Sequence, residues 1–139
     1  MSLIDGVRSA LPDASGRDAA LLSPLVLAYI GDTVYDLYVR THLVLTHDGT
    51  AHTLHMMAAK RVCARAQAEA FRRIEGELTG EELSVFKRGR NAHMGTVPKH
   101  ASISDYRAAT GVEALFGFLY LQGRDERLET LMSLALKEE

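Results

Sequence analysis

Cysteine, tryptophan and proline are scarce in this chain of 139 residues, which has one cysteine, no tryptophan and three prolines. A single cysteine excludes an intrachain disulfide. Cys63 stands in the helical run KRVCARAQAEAF with no acid-base pattern around it, so we interpret it as a packed structural thiol. The sequence has no apolar run of about 18 residues, and its N-terminus has no apolar core of signal-peptide length. These absences predict a cytoplasmic protein that does not contact a membrane.

Strand signals are also missing, because no useful stretch alternates apolar and polar residues. Helical periodicity dominates instead, and the predicted class is all-α. Length predicts one domain over residues 1–139, with no room for a separate binding module.

Capping residues indicate where the helices begin. Ser23 followed by Pro24 predicts an N-cap and first helical position for a helix that runs to about Val44. Thr53 is expected to start a second helix that continues to about Glu77. The later helix starts are predicted at the Thr79 and Glu82 capping box, at Ser104 or Asp105 for a helix that stops at Gly123, and in the amphipathic segment DERLETLMSLALKEE.

Basic residues collect in one acid-free segment, from Leu83 to Ser104. We expect a basic loop here, because Gly89, Gly95 and Pro98 oppose a continuous helix. Such a patch can bind a polyanion even on a chain of net charge −2, although a solvated loop is the alternative. The candidate contacts are Lys87, Arg88, Arg90, the adjoining Asn91, and Lys99, with His93 and His100 in the same segment.

Two acidic residues interrupt otherwise apolar helical stretches: Asp32 in LAYIGDTVYDLYVR and Glu113 in YRAATGVEALFGFLYL. A buried carboxylate is costly unless it is paired or holds a metal, so each one either meets an arginine or a helix end, or belongs to a site. Gly31 and Gly117 favour close approach of the two helices. If these faces pack together, the two carboxylates converge, with Asp36 one turn beyond Asp32.

Converging carboxylates without clustered histidine or cysteine suit a hard cation, Mg²⁺ or Mn²⁺. Such a cation activates water and neutralises charge on a phosphoryl group. His52 and His55 have the spacing of half a zinc site, but no further Cys/His motif accompanies them, so we interpret them as surface residues.

Four segments in order resemble the ribonuclease III catalytic domain, and more closely its stand-alone bacterial Mini-III form. They are LAYIGDTVYDLYVRTHL, LHMMAAKRVCARAQAEAF, VFKRGRNAHMGTVPKH and YRAATGVEALFGFLYL, and together they cover roughly residues 22–125. The resemblance implies an all-α endonuclease that acts as a homodimer, uses divalent metal and cuts double-stranded RNA. For the Mini-III branch it further implies maturation of large-subunit (23S) ribosomal RNA.

The resemblance also implies roles for particular residues. Asp32 matches the catalytic, metal-binding aspartate and Glu113 the metal-binding glutamate, while Asp36 is expected to support them. The chain departs from the larger enzymes at Ala28, Thr110 and Ala64, where those enzymes place acids. These departures leave the number of metal ions open.

We expect the partners to be a precursor of large-subunit ribosomal RNA, a second copy of the chain and, as a helper, a ribosomal protein. The surplus of apolar residues on the Asp32 helix, among them Leu25, Tyr29 and Leu37, favours a dimer interface. Two rival interpretations stay open. One is a non-catalytic RNA-binding protein of the same fold that serves ribosome assembly, and the other is an all-α interaction protein whose acids are structural.

Overall fold

The computed structural model describes residues 1–92, Lys99 and residues 102–137. All regular secondary structure in these residues is helical, which confirms the all-α class. The helices are α1 (Leu3–Ala10), α2 (Pro24–Thr46), α3 (Ala51–Val62), α4 (Ala64–Ile74), α5 (Gly80–Arg90), α6 (Ile103–Leu121) and α7 (Asp125–Ala135), with short 3₁₀ turns at Pro12–Ala14, Ala19–Leu21 and Glu75–Glu77. No helix of the described ranges is both long and apolar enough to cross a membrane.

Helix α6 forms the centre of the fold. Its residues from Ala109 to Tyr120 are buried, with Glu113 half-buried among them. A helix that is apolar on all sides must be covered on all sides, and α2, α4 and α5 pack around it while α7 adds to the covering. Glu113 is therefore the one acidic residue in the buried part of this helix, from Ala109 to Tyr120.

Several of the predicted helix boundaries are confirmed. The Ser23 side chain accepts a hydrogen bond from the amide of Val26, and Pro24 occupies the first turn of α2. Thr79 and Glu82 form the predicted capping box of α5. Gly123, with φ of +68°, directly follows the end of α6, in the left-handed region where glycine is favoured.

The predicted second helix is wrong in two respects. It begins after Thr50, not at Thr53, and it breaks at Cys63, whose ψ of 160° is extended rather than helical. The break lets α3 pack on α2 while α4 packs on α6 and α7. Cys63 stands at this corner with its side chain exposed, so the interpretation as a packed thiol is also wrong.

The third predicted helix extends further than expected. It continues through Gly89 to Arg90, because Gly89 faces α6 at a point where a Cβ atom would lie 2.8 Å from the Cβ of Ala114. Ser102, not Ser104 or Asp105, caps α6. The expected breakers Gly95 and Pro98, together with His93 and His100, lie outside the described residues.

Helix α1 was not predicted from the sequence, although a capping box of Ser2 and Asp5 begins it. It is attached to α7 by a hydrogen bond of 2.9 Å from the amide of Leu3 to Asp125 Oδ2. This contact joins residues 122 positions apart in sequence.

The closest helix contact is that of α2 with α6. A Cβ atom at Gly31 would lie 1.6 Å from the carbonyl oxygen of Glu113, and one at Gly117 would lie 2.0 Å from the carbonyl oxygen of Leu27. Only glycine allows two backbones to approach to this distance. The prediction that these glycines permit close approach is confirmed.

Candidate active site

Asp32 and Glu113 meet beside the glycine contact. Asp32 follows Gly31 on α2, and Glu113 lies one turn before Gly117 on α6, so close packing of the backbones brings the two carboxyl groups into hydrogen-bonding contact. Both line an open cavity of about 520 Å³ between the two helices. The predicted convergence of these two side chains is therefore present in the fold.

The burial expected for both acids is wrong for Asp32. Its side chain is exposed, because α2 presents this position to solvent at the rim of the cavity. Glu113 is half-buried, and its burial disfavours the ionised form of its carboxyl group. One carboxylate of the pair is thus accessible to an incoming ligand while the other is held by the core.

Burial, together with the hydrogen bond and charge of the neighbouring Asp32, raises the pKa of Glu113 to about 8. A hydrogen bond from Gln67 acts in the opposite direction. Two neighbouring carboxylates repel each other when both are ionised, so without a cation the pair of Asp32 and Glu113 holds a proton near neutral pH. A divalent cation would take the place of that proton.

Gln67 is a member of the site that sequence reasoning missed. It lies on α4 with 2% of its surface exposed, and its Nε2 donates to Glu113 Oε2 at 3.3 Å and to the carbonyl oxygen of Val62 at 2.9 Å. Its Oε1 is buried and has no hydrogen-bond partner among the described residues. The sequence signal was a glutamine on the buried stripe of α4, which it shares with Ala70 and Ile74.

The residues present suit a hard cation. The carboxylates of Asp32 and Glu113 interact, and the Gln67 amide that contacts Glu113 has an unpartnered buried oxygen; oxygen donors are what Mg²⁺ and Mn²⁺ prefer. Within the described part of the chain, no group of three or more His, Cys, Asp or Glu side chains is arranged to hold a metal. His52 and His55 are both exposed at the start of α3.

Two of the positions at which the chain departs from the larger enzymes lie in the candidate site. Ala28 and Thr110 line the same cavity as the acidic pair, and both are buried. Asp36 is directed elsewhere: it forms an ion pair of 2.9 Å with Arg40 and is not among the cavity's lining residues. A supporting role for Asp36 stays a prediction.

The basic residues lie mainly on a helix rather than on the expected loop. Lys87 and Arg88 are exposed near the end of α5, and Arg90 lies over the ring of Phe86 and donates to Asn91 Oδ1. Lys99 is exposed. Because Gly89 contacts α6 at Gly111 and Ala114, this end of α5 packs on the segment of α6 that carries Glu113.

A larger groove of about 1010 Å³ lies where α1, α5 and α7 meet. Its two arginines both pair with acids of α5: Arg127 binds the buried Glu82, at 2.7 Å from Nε to Oε2, and Arg124 binds Glu81 at 2.6 Å. These ion pairs join α5 to the start of α7.

Comparison with known proteins places this geometry in context. The family described as Ribonuclease III domain matches residues 25–124. A Mini-ribonuclease 3 of Clostridium tetani is 46% identical over 121 residues, covering 86% of this chain and 80% of that protein. A Mini-ribonuclease 3 of Staphylococcus aureus is 44% identical over 115 residues, covering 81% and 86%. A crystal structure of a Fusobacterium nucleatum protein superposes with a TM-score of 0.78 at 26% identity, covering 87% of this chain and 97% of that one.

Proposed function

This chain belongs to the ribonuclease III family, and from that premise we propose that it is a metal-dependent endoribonuclease that cleaves double-stranded RNA. The observation that carries the proposal is the contact of Asp32 with Glu113 across the α2–α6 glycine contact. These two residues are the proposed catalytic and metal-binding pair. The open cavity beside them leaves room for a phosphodiester to approach.

The proposed division of work follows from exposure. Glu113, anchored in the core, would hold Mg²⁺ or Mn²⁺, and Asp32 would complete the cation's protein ligands from the solvent side. The bound cation supplies an activated water and neutralises charge on the phosphoryl group. The close packing at Gly31 and Gly117 keeps the two carboxylates near each other before RNA binds.

RNA contacts are proposed for Lys87, Arg88, Arg90, Asn91 and Lys99. The support is position: the basic end of α5 packs against the part of α6 that holds Glu113, so phosphates on a duplex entering the cavity can meet these cations. Such contacts neutralise phosphates without reading sequence, so binding is expected to weaken steeply with salt.

A homodimer is proposed through the exposed apolar stripe of α2. Val26, Tyr29, Leu37 and Val44 are spaced to share one helix face, and they are 49%, 83%, 51% and 64% exposed. A two-fold interface over this stripe would cover it and would present one acidic pair to each strand of a duplex. Sedimentation should show a species near twice 15.3 kDa, which Leu37→Lys disrupts and Leu21→Lys, on an exposed leucine outside α2, does not.

The substrate proposed is a precursor of large-subunit ribosomal RNA in the cytoplasm, with a ribosomal protein as candidate helper. That step extends the resemblance to the Mini-III branch, which the sequence identity to proteins named Mini-ribonuclease 3 supports. That residues 1–139 form one catalytic domain stays a prediction.

A second candidate function is non-catalytic RNA binding in ribosome assembly. It is favoured by the small number of acids at the site, because Ala28 and Thr110 occupy cavity positions where the larger enzymes are expected to carry carboxylates. The two candidates differ in one observable, which is whether the purified protein cuts a duplex.

The deciding experiment is cleavage of a duplex RNA panel with and without Mg²⁺. Wild-type protein should cut in Mg²⁺ only, and Asp32→Asn and Glu113→Gln should abolish cutting while the fold survives. Asp48→Asn, the same substitution at an exposed position after α2, should cut as wild type. Cleavage by a folded Asp32→Asn protein at the wild-type rate would remove the assignment, and RNA binding without any cutting would favour the second candidate.

A further inference from the structure

We propose that Gln67 is a positioning residue of the metal site, holding Glu113 in the orientation that binds the cation. The inference rests on the proposed function and adds a residue outside the acidic pair. It begins from one polar side chain that is 2% exposed on the otherwise small and apolar buried face of α4. Burying a polar side chain costs free energy unless its donors and acceptors form hydrogen bonds, so a buried glutamine calls for an explanation.

The orientation of the Gln67 amide follows from its neighbours. Nε2 has two hydrogens, and two acceptors lie in reach: the carbonyl oxygen of Val62 at 2.9 Å and Glu113 Oε2 at 3.3 Å. Reversing the amide would turn its oxygen toward both of these oxygens, which is unfavourable. The Nε2 donor is therefore directed at Glu113, and both of its hydrogens are in use.

The break at Cys63 explains how Gln67 comes to contact the site. Because α3 ends at Val62 and α4 begins at Ala64, the Val62 carbonyl is at a helix end and needs a donor from outside its own helix. Gln67 supplies that donor and is thereby fixed at the corner. The same amide then reaches across to α6, so the corner between α3 and α4 sets the position of the Glu113 carboxylate.

The Oε1 atom of Gln67 distinguishes a positioning role from simple helix capping. Capping accounts for the bond to Val62 only, whereas Oε1 is buried without a partner in the described residues. Since the N and O atoms of an amide lie about 2.3 Å apart, Oε1 is within about 6 Å of Glu113 Oε2. If Glu113 holds a cation, this oxygen would be available to accept a hydrogen bond from one of its waters while Nε2 holds the carboxylate.

The test measures Mn²⁺ binding to the full chain without RNA, so its readout does not depend on cleavage. Gln67→Met keeps the length of the side chain but removes both polar atoms. We expect its dissociation constant for Mn²⁺ to rise about tenfold or more, the range typical for residues that orient metal ligands. The matched control is Gln122→Met, on a glutamine that follows α6 nine positions after Glu113, which should bind Mn²⁺ as wild type.

A second variant keeps the test decisive if Gln67→Met does not fold. Gln67→Glu places a third carboxylate beside Asp32 and Glu113, so repulsion should lower Tm in EDTA and Mn²⁺ should raise Tm by more than it does in wild type. A Gln67 that lies away from the metal site predicts equal Mn²⁺ shifts for both proteins. A Mn²⁺ dissociation constant for folded Gln67→Met within twofold of wild type, or an unchanged Mn²⁺ shift for Gln67→Glu, would overturn the proposal.

Failure of the proposed function would give a different pattern. If wild type binds no Mn²⁺, or if Asp32→Asn and Glu113→Gln bind it normally, the acidic pair is not a metal site and the role of Gln67 falls with it. If those two variants lose Mn²⁺ and Gln67→Met keeps it, the acidic pair stands and only the positioning role is wrong.

Discussion

Replacing Gly31 with alanine should destabilise the protein although alanine is the better helix former. Gly31 lies inside α2, and an added Cβ would meet the carbonyl oxygen of Glu113 at 1.6 Å and the amide nitrogen of Gly117 at 2.8 Å. Both are backbone atoms, so no side-chain rotation relieves the overlap. The two helices must instead move apart.

The magnitude follows from two opposing terms. Helix propensity favours alanine by about 1 kcal/mol. Against it, ordinary contact begins near 3.4 Å, so an atom at 1.6 Å demands a separation of about 2 Å between α2 and α6. Overpacking that shifts the backbone costs about 1–3 kcal/mol, and occasionally more. Because the overlap is with backbone atoms, we expect the upper end of that range and a net loss of about 2 kcal/mol, a large part of the roughly 5–15 kcal/mol that stabilises a typical domain.

The assay is urea unfolding at fixed protein concentration in EDTA, with Gly6→Ala as the matched control. Gly6 lies inside α1 and an added Cβ there would have nothing within 4 Å, so this substitution should stabilise by about 0.5–1 kcal/mol. Opposite signs for the same substitution in two helices isolate the effect of the α2–α6 contact. Because Asp32 and Glu113 also move apart, Gly31→Ala should bind Mn²⁺ more weakly.

A Gly31→Ala protein as stable as wild type would contradict this expectation. That result would mean that α2 and α6 are farther apart than the glycines indicate. The convergence of Asp32 and Glu113 would then lose its structural basis, whatever the outcome of cleavage assays.

Three further predictions concern charge. In EDTA the free energy of unfolding should fall as pH rises from about 4.5 to about 8, because folded Glu113, with its raised pKa of about 8, keeps a proton that the unfolded chain loses. The slope should be at most about 1.4 kcal/mol per pH unit. Glu113→Gln should flatten this slope in urea titrations at several pH values. Arg127→Met should lower the free energy of unfolding in urea by about 2–3 kcal/mol, because it leaves the carboxylate of Glu82, which is 1% exposed, without its cation. Adding Glu82→Gln should recover part of the loss, and a cost below about 0.5 kcal/mol would contradict the pairing. Lys87→Ala should lower the salt slope of duplex binding by about one, and an unchanged slope would show that this side chain is only solvated.

The sequence alone was sufficient for the helical class, several helix ends and the acidic pair. The Ser23 cap, the Thr79 and Glu82 capping box and the glycine after α6 depend on hydrogen bonds within a few residues, so local pattern predicts them. Gly31 and Gly117 were informative for a similar reason, because glycine inside a helix is costly unless another backbone needs the space.

Tertiary packing decided what depends on residues far apart in the chain. The break at Cys63 has no strong local breaker, and it exists because α3 and α4 pack against different helices. Glu82, which sequence reasoning treated only as a cap, is a buried acid that pairs with an arginine 45 residues away. Exposure of Asp32 and the contact of Gln67 with Glu113 likewise depend on which helix faces meet, and local periodicity carries no information about partners 46 residues apart.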